Sequence, residues 1–158
     1  MDRLWAPWRS SYVSTKKRRG CIFCIGKDRK KDAGLFVVRR AKLSFSILNI
    51  FPYNNGHVLI APYRHIKNFK GLRDEEMLDM MRLLRQTKIA LDKILKPDGY
   101  NIGFNIGRVS GAGIKGHIHL HIVPRWNGDT NFITTISGSK VISQSLKVLY
   151  KELKRVKA

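Results

Sequence analysis

Acidic residues are scarce in this chain: 11 Asp and Glu stand against 31 Lys and Arg, a formal net charge of +20 over 158 residues. Such an excess sets up a positive field that draws polyanions and speeds their arrival, so a phosphate-rich partner is expected. Charge alone does not separate nucleic acid from small polyphosphates, and a basic bias of a whole proteome would produce the same number. Long apolar runs are missing too. Nothing approaches the roughly 18 to 20 residues that span a bilayer, and MDRLWAPWRS lacks the apolar segment of a secretory signal, so a cytoplasmic location is expected. With only two cysteines, Cys21 and Cys24, no disulfide can staple distant parts of the fold, and in a cytosolic chain their spacing points to metal or redox chemistry. Repeats and Gly/Ser or Pro linkers are absent as well, which leaves one domain over residues 1–158 as the expectation.

What is present is ordinary globular material, 43% hydrophobic and 27% charged, which excludes a wholly disordered or fibrous chain. Residues 1–34 combine Trp5, Trp8 and Tyr12 with the basic runs Lys16 to Arg19 and Lys27 to Lys31, an arm that packs through its aromatics and keeps its charges wet. From Leu35 the texture becomes β-prone: Leu35 to Val38, Phe45 to Asn49, and His57 to Ala61, the last two joined by Pro- and Asn-Gly-containing turn chemistry at 51–56. Met77, Met80, Met81, Leu84, Leu91 and Leu95 recur at helical intervals behind the acidic Asp74, Glu75 and Glu76, predicting an amphipathic core helix over 74–95 that stops at Lys96-Pro-Asp-Gly99. Two more strands are expected at about Tyr100 to Ile106 and His117 to Val123, and a last helix within 140–158 from Ile142, Leu146, Leu149 and Leu153. Strands and helices do not alternate strictly, so the expected class is α+β: an antiparallel sheet with packed helices.

Three of the five histidines fall at His117, His119 and His121, in a β-prone stretch. Residues two apart on a strand share a face, so one face carries three imidazoles while Ile118, Leu120 and Ile122 turn to the core. Three imidazoles on one face carry hydrogen-bonding and charging penalties that an ordinary strand avoids, which points to function. A metal site is the rival reading. Imidazole is largely neutral at pH 7, so a ring nitrogen of the central His119 can attack phosphorus without a separate base, and its neighbours can donate protons or hydrogen bonds. Just upstream, the Gly-rich stretch with Gly111, Gly113 and Gly116 offers backbone N–H groups to phosphate oxygens, and Lys115 and Arg125 are near enough in sequence to add charge.

His117-Ile-His119-Leu-His121-Ile-Val is similar to the signature of the histidine-triad (HIT) superfamily of nucleotide hydrolases and transferases, and the resemblance extends to Asn49, Gly56-His57-Val-Leu-Ile60, Asn105-Ile-Gly107 and Pro124-Arg-Trp126, covering about residues 20 to 135. It implies a HIT-like α+β sheet, a homodimer, His119 as nucleophile on an α-phosphate through a covalent nucleotidyl intermediate, and His117 and His121 as its supports. It further implies Asn49 and Asn105 as nucleotide or phosphate contacts, with Phe45, Ile47 and Leu48 lining a base and ribose pocket. Leu4-Trp-Ala-Pro-Trp-Arg9 and Val123 to Phe132 resemble the members that cleave diadenosine tetraphosphate with water or inorganic phosphate as acceptor. One departure stands out. Where many members carry Gly-Gln-Ser/Thr before the triad, this chain has Gly111-Ala-Gly113-Ile114, so the side-chain contacts that Gln and Ser/Thr make with the leaving group are missing.

Cys21-Ile-Phe-Cys24 can chelate zinc, although a closed site wants four ligands. The resemblance implies that His65 and His117 complete a structural zinc site that pins the N-terminal arm to the triad strand. A free dithiol or a redox pair is the alternative for this motif. For the chain as a whole, the alternative to an enzyme acting on dinucleoside polyphosphates is a nucleic-acid-binding or nucleotide-sensing protein with little turnover.

Overall fold

A computed structural model of the chain describes residues 20–26, 28–110, 116–130, 136 and 140–156. The aromatic arm residues Trp5, Trp8 and Tyr12, and the expected phosphate cradle of Gly111, Gly113 and Lys115, lie outside the described residues. After a short helical turn α1 (Asp32–Leu35), five strands and two longer helices follow: β1 (Val37–Arg40), β2 (Ser44–Leu48), β3 (Val58–Pro62), α2 (Asp74–Leu95), β4 (Gly99–Phe104), β5 (Leu120–Arg125) and α3 (Leu146–Arg155). The strands form one antiparallel sheet in the order β1-β2-β3-β5-β4. This is the α+β architecture expected from the sequence.

Pleating sorts the strand side chains between two layers. On one face Val38, Leu48, Val58 and Ile122 pack against Ala90 and Leu91 of α2 and Leu149 and Leu153 of α3, and Ile60, Ile118 and Leu120 meet Met80 and Leu83. On the other face Val37, Phe45, Ile47, Leu59 and Ala61 are roofed by Phe23 from the Cys21–Cys24 segment. Phe23 is fully buried, and removing a ring of that kind from water contributes about 1.5–3 kcal/mol.

The long helix α2 has the bounds the periodicity predicts. Its start is held by the Glu76 carboxylate, which accepts from the Arg73 N–H at 3.0 Å, and its end by Lys96 in the left-handed region at φ 46°, just before Pro97. Within the expected stripe Met81 is exposed, and Leu83, Thr87 and Ala90 take its place, because the face spaced three, four and seven from Met80 is the one that meets the sheet. Strand β1 begins two residues later than expected because Asp32–Leu35 turns helical and Phe36 reverses the chain at φ 58°. The final helix begins at Leu146, where the Ser145 hydroxyl accepts from the Val148 N–H, so Ile142 lies outside it.

Two local features set up the histidine face. Gly56, at φ +77°, closes the 49–57 turn where a Cβ would stand 2.5 Å from Leu95 and 2.9 Å from Pro124, so side chains are excluded there. Pairing of β5 with β3 begins at Leu120, three residues later than the strand expected from the sequence. Before that point the Ile118 N–H donates instead to the carbonyl of Ile66, beyond the end of β3, at 2.7 Å.

Candidate active site and metal cluster

The face opposite the long helices carries a cluster of three imidazoles. Leu59 of β3 pairs with His121 of β5, and His57 immediately precedes β3, so the rings of His57 and His121 meet at 5.1 Å, and that of His119 lies 4.9 Å from His121. All are buried, with His57 at 1%, His119 at 6% and His121 at 8% exposure.

Hydrogen bonds assign the protons. The Tyr53 N–H donates to His57 Nδ1 at 3.1 Å, so that nitrogen is an acceptor and the proton of His57 sits on Nε2. His57 Nε2 is 2.9 Å from His121 Nδ1, which must therefore accept, leaving the His121 proton on Nε2. That Nε2 is buried and has no partner among the described residues: a donor held in waiting. His119 is set the other way. Its Nδ1 lies 2.8 Å from the His117 carbonyl and donates to it, which leaves Nε2 with its lone pair free. Burial is the first cause that keeps these rings neutral, and neighbouring imidazolium charge adds to it: His57 is pushed down to about 3 and His121 to about 4. Burial lowers His119 as well, against the pull of its bond to the His117 carbonyl. The arrangement presents one nucleophilic nitrogen beside one unpartnered N–H donor.

His117 belongs to a different cluster. Its Nε2 donates to the Pro62 carbonyl at 2.9 Å, which turns Nδ1 toward Cys21 Sγ at 3.3 Å and Cys24 Sγ at 4.0 Å. His65 Nδ1 lies 3.4 Å from Cys24 Sγ, and the four ligand atoms all fall within 4.8 Å of one another. Such separations suit donors arranged around one tetrahedral ion, and the Pro62 bond fixes the tautomer a metal-binding His117 needs. Burial and the adjacent Cys21 push the Cys24 thiol up, a tension that a bound cation would relieve. The four residues named from the sequence thus come together.

Between the two clusters stands Phe23, its ring 5.3 Å from His117 and 4.8 Å from His119. Of the other candidate residues, Phe45 and Ile47 lie on the histidine side of the sheet. Leu48 corrects the expected pocket: strand alternation turns it to the helix side, where it is buried among α2 and α3 residues. Asn49 braces the turn, its Oδ1 accepting from the Phe51 N–H at 2.9 Å and its Nδ2 lying 3.2 Å from His57 Nδ1. Asn105 follows the end of β4 and is half-buried. Arg125 is engaged away from the histidines, on Asp129 at 2.6 Å and Asn101 at 2.6 Å.

Residues 30–128 match the HIT domain. The chain belongs to the HIT domain family. It is 36% identical over 156 residues to an AP-4-A phosphorylase of Mycobacterium tuberculosis, covering 93% of this chain and 80% of that one. It is 30% identical over 133 residues to the adenosine 5'-monophosphoramidase HNT1 of Saccharomyces cerevisiae, covering 84% and 80%. Among solved structures, a Zn-bound histidine triad family protein from Mycobacterium smegmatis superposes with a TM-score of 0.67 at 27% identity, covering 85% of this chain and 91% of the other.

Three further residues shape the site of this HIT chain, and no local signal in the sequence assigns them that role. His57 was visible as one of only five histidines, directly behind turn chemistry. Phe23 lay in plain view between the two cysteines, but an aromatic inside CxxC announces no contact with a triad about 100 residues away. Asp129 accepts from Asn54 Nδ2 at 2.7 Å, from Arg125 and from the Trp126 N–H, tying the segment after β5 to the turn before His57. The bond from Arg125, helped by that from the Trp126 N–H, holds its carboxyl far below the usual range. No local pattern marks that role.

Proposed function

We propose that this HIT protein cleaves dinucleoside polyphosphates such as diadenosine tetraphosphate through a nucleotidyl intermediate on His119, with water or inorganic phosphate as acceptor. As an enzyme the chain falls with the HIT-family nucleotide hydrolases and phosphorylases. The observation that carries the mechanism is the tautomer of His119, whose Nδ1–H is spent on the His117 carbonyl so that Nε2 is the free nucleophile. Nε2 attacks the α-phosphorus, an N–P bond forms, and the bridging P–O bond breaks with its electron pair leaving on the departing nucleotide. The unpartnered Nε2–H of His121 donates to a phosphate oxygen as charge develops there. Water or phosphate then attacks the same phosphorus through oxygen, a P–O bond forms as the N–P bond breaks and returns its pair to Nε2, and the proton of the acceptor is lost to that nitrogen or to solvent. Asn49 and Asn105, with Ile47, are the proposed nucleotide contacts, Phe45 being fully buried beneath Phe23 and so a correction to the expected pocket, and Gly111, Gly113 and Lys115 are the proposed phosphate contacts.

Cys21, Cys24, His65 and His117 would hold a structural zinc ion, which supplies cross-linking of the knuckle to the triad segment and no step of the reaction. A homodimer is proposed through β4, a sheet edge whose outer side is unpaired among the described residues and where Ile102 is exposed. The deciding experiment is product analysis with diadenosine tetraphosphate, with and without inorganic phosphate, for the native chain and His119→Ala. Phosphate-dependent ADP plus ATP assigns a phosphorylase, and phosphate-independent AMP plus ATP or two ADP a hydrolase. Absence of any His119-dependent product from this substrate or from a nucleoside phosphoramidate overturns the reading.

A further inference from the structure

On the helix side of the sheet, away from the imidazoles, a cavity of about 260 Å³ is lined by Arg29, Asp32, Val38, Arg39, Arg40, Gln86, Leu153 and Lys154. Its charges do not balance. Asp32 is the one acid in the lining, and it is taken by Arg40, which donates to both its oxygens from Nε at 3.0 and 3.2 Å and again from Nη2 at 2.7 Å. Arg29, Arg39 and Lys154 have no carboxylate within ion-pair distance among the described residues, so four cations less one acid leave three positive charges around one cavity. Arg39 is not a free surface side chain. Its Nη2 is anchored to the Val156 carbonyl after α3, while its Nε is buried without a hydrogen-bond acceptor among the described residues. Val38 and Leu153 belong to the buried core and form an apolar floor, where a charge–charge contact is screened less than in water. Desolvation lowers the Arg39 guanidinium from its ordinary value, as expected of a half-buried cation lacking a counter-charge.

We propose that this cavity is a second anion site, distinct from the triad, that takes a multiply charged phosphate group on Arg39, Arg29 and Lys154. A guanidinium without a counter-charge beside an apolar floor is costly, and a phosphate group in the cavity supplies that charge and accepts from whichever N–H groups of Arg39, Arg29 and Lys154 face it. The same chemistry is offered by free pyrophosphate and by the phosphate end of a nucleotide.

The test is a titration of the full-length protein at 15N-labelled arginine, following the Arg39 Nε–H resonance at about physiological ionic strength, where surface charges further apart than ~8 Å are screened. The probes are inorganic pyrophosphate, ADP and a short oligonucleotide. Saturable movement of the Arg39 resonance with pyrophosphate, weakened about tenfold in Lys154→Ala or Arg29→Ala, supports the site. Both replaced side chains are exposed, so neither variant is expected to disturb the fold. Equal affinity for ADP and pyrophosphate makes the phosphate group the whole determinant, and tighter ADP binding assigns the source to a nucleotide. The proposal is overturned if the Arg39 resonance stays still while histidine-side resonances respond, if only the oligonucleotide moves it, or if Lys154→Ala and Arg29→Ala bind pyrophosphate as the native chain does.

Discussion

His117 and His121 sit four residues apart in the same alternating run, yet they inhabit different chemistry. His117 turns its Nδ1 into a cluster of two thiols and a second histidine, at the edge where the Cys21–Cys24 knuckle meets solvent. His121 turns its Nδ1 to His57 in the dry face of the sheet and keeps an unpartnered N–H for whatever enters. Residue type and spacing are the same at both ends. What differs is the partner that fixes the tautomer: the Pro62 carbonyl at one end and an accepting chain from the Tyr53 N–H through His57 at the other. An imidazole's role is set by which nitrogen its neighbours leave free.

The contrast can be broken at the residue between the two ends. His119→Ala should lower turnover of a dinucleoside polyphosphate at least about 1,000-fold with an unchanged circular dichroism spectrum, as removal of a nucleophile does. A single-turnover assay that finds a loss below tenfold would remove His119 from the chemistry. The knuckle end is addressed by replacing both Cys21 and Cys24 with Ser. Metal analysis should then find no zinc, and the unfolding midpoint should drop by about 10 °C, from a loss of ~3–4 kcal/mol at ~2–4 °C per kcal/mol. An unchanged midpoint would mean that the cluster holds nothing up.

Acid sharpens the comparison at the other end. His57 and His121 are neutral when folded, held at about 3 and about 4, whereas the unfolded chain takes up protons near 6.5. The unfolded state then binds more protons below pH 6.5, so their stabilising contribution is complete above that pH and is lost as pH falls toward 4 and 3. At pH 5 the loss is about 2 kcal/mol for each imidazole, at ~1.36 kcal/mol per pH unit. Denaturant titrations between pH 7 and 5 should show this fall, and a shallower one in His57→Gln. Equal slopes would contradict the neutral pair. In the same variant turnover should fall about 10- to 100-fold with KM little changed, since His57 acts by orienting His121. A loss in KM alone would instead place His57 in substrate binding.

The smallest effect is expected at Phe23, where the ring bridges both clusters. Phe23→Leu keeps an apolar side chain of similar bulk and should cost about 1 kcal/mol of stability. Turnover should nonetheless drop about fivefold, whereas Val38→Ala in the helix-side core should match or exceed the stability loss and leave turnover alone. If the two variants behave alike in turnover, Phe23 is core material only.

Much of this was legible from the order of residues. The stripe from Met77 to Leu95 and its acidic start placed α2 at its observed bounds, because a 22-residue amphipathic helix with a proline stop carries its signal locally. Strand ends were legible only to within two or three residues: β1 was displaced by the turn at Phe36, and β5 by the Ile118 bond to Ile66, both contacts that no window of sequence contains. The triad was readable from its period of two and the cysteine pair from its CxxC spacing, and the resemblance brought in His65 and His117 as the ligands that complete the cysteine site.

By itself the sequence determined the α+β class, the identity of the imidazoles and thiols, and the family, since periodicity and residue chemistry are local properties. Only the tertiary structure decided which face of the sheet meets the helices, that Phe23 touches His119, that Asp129 ties two distant loops, and which nitrogen of each histidine is free. The physical reason is common to all four. A side chain's partners are chosen by the packing of segments far apart in the chain, and a tautomer is decided by the one donor or acceptor that packing brings within about 3 Å.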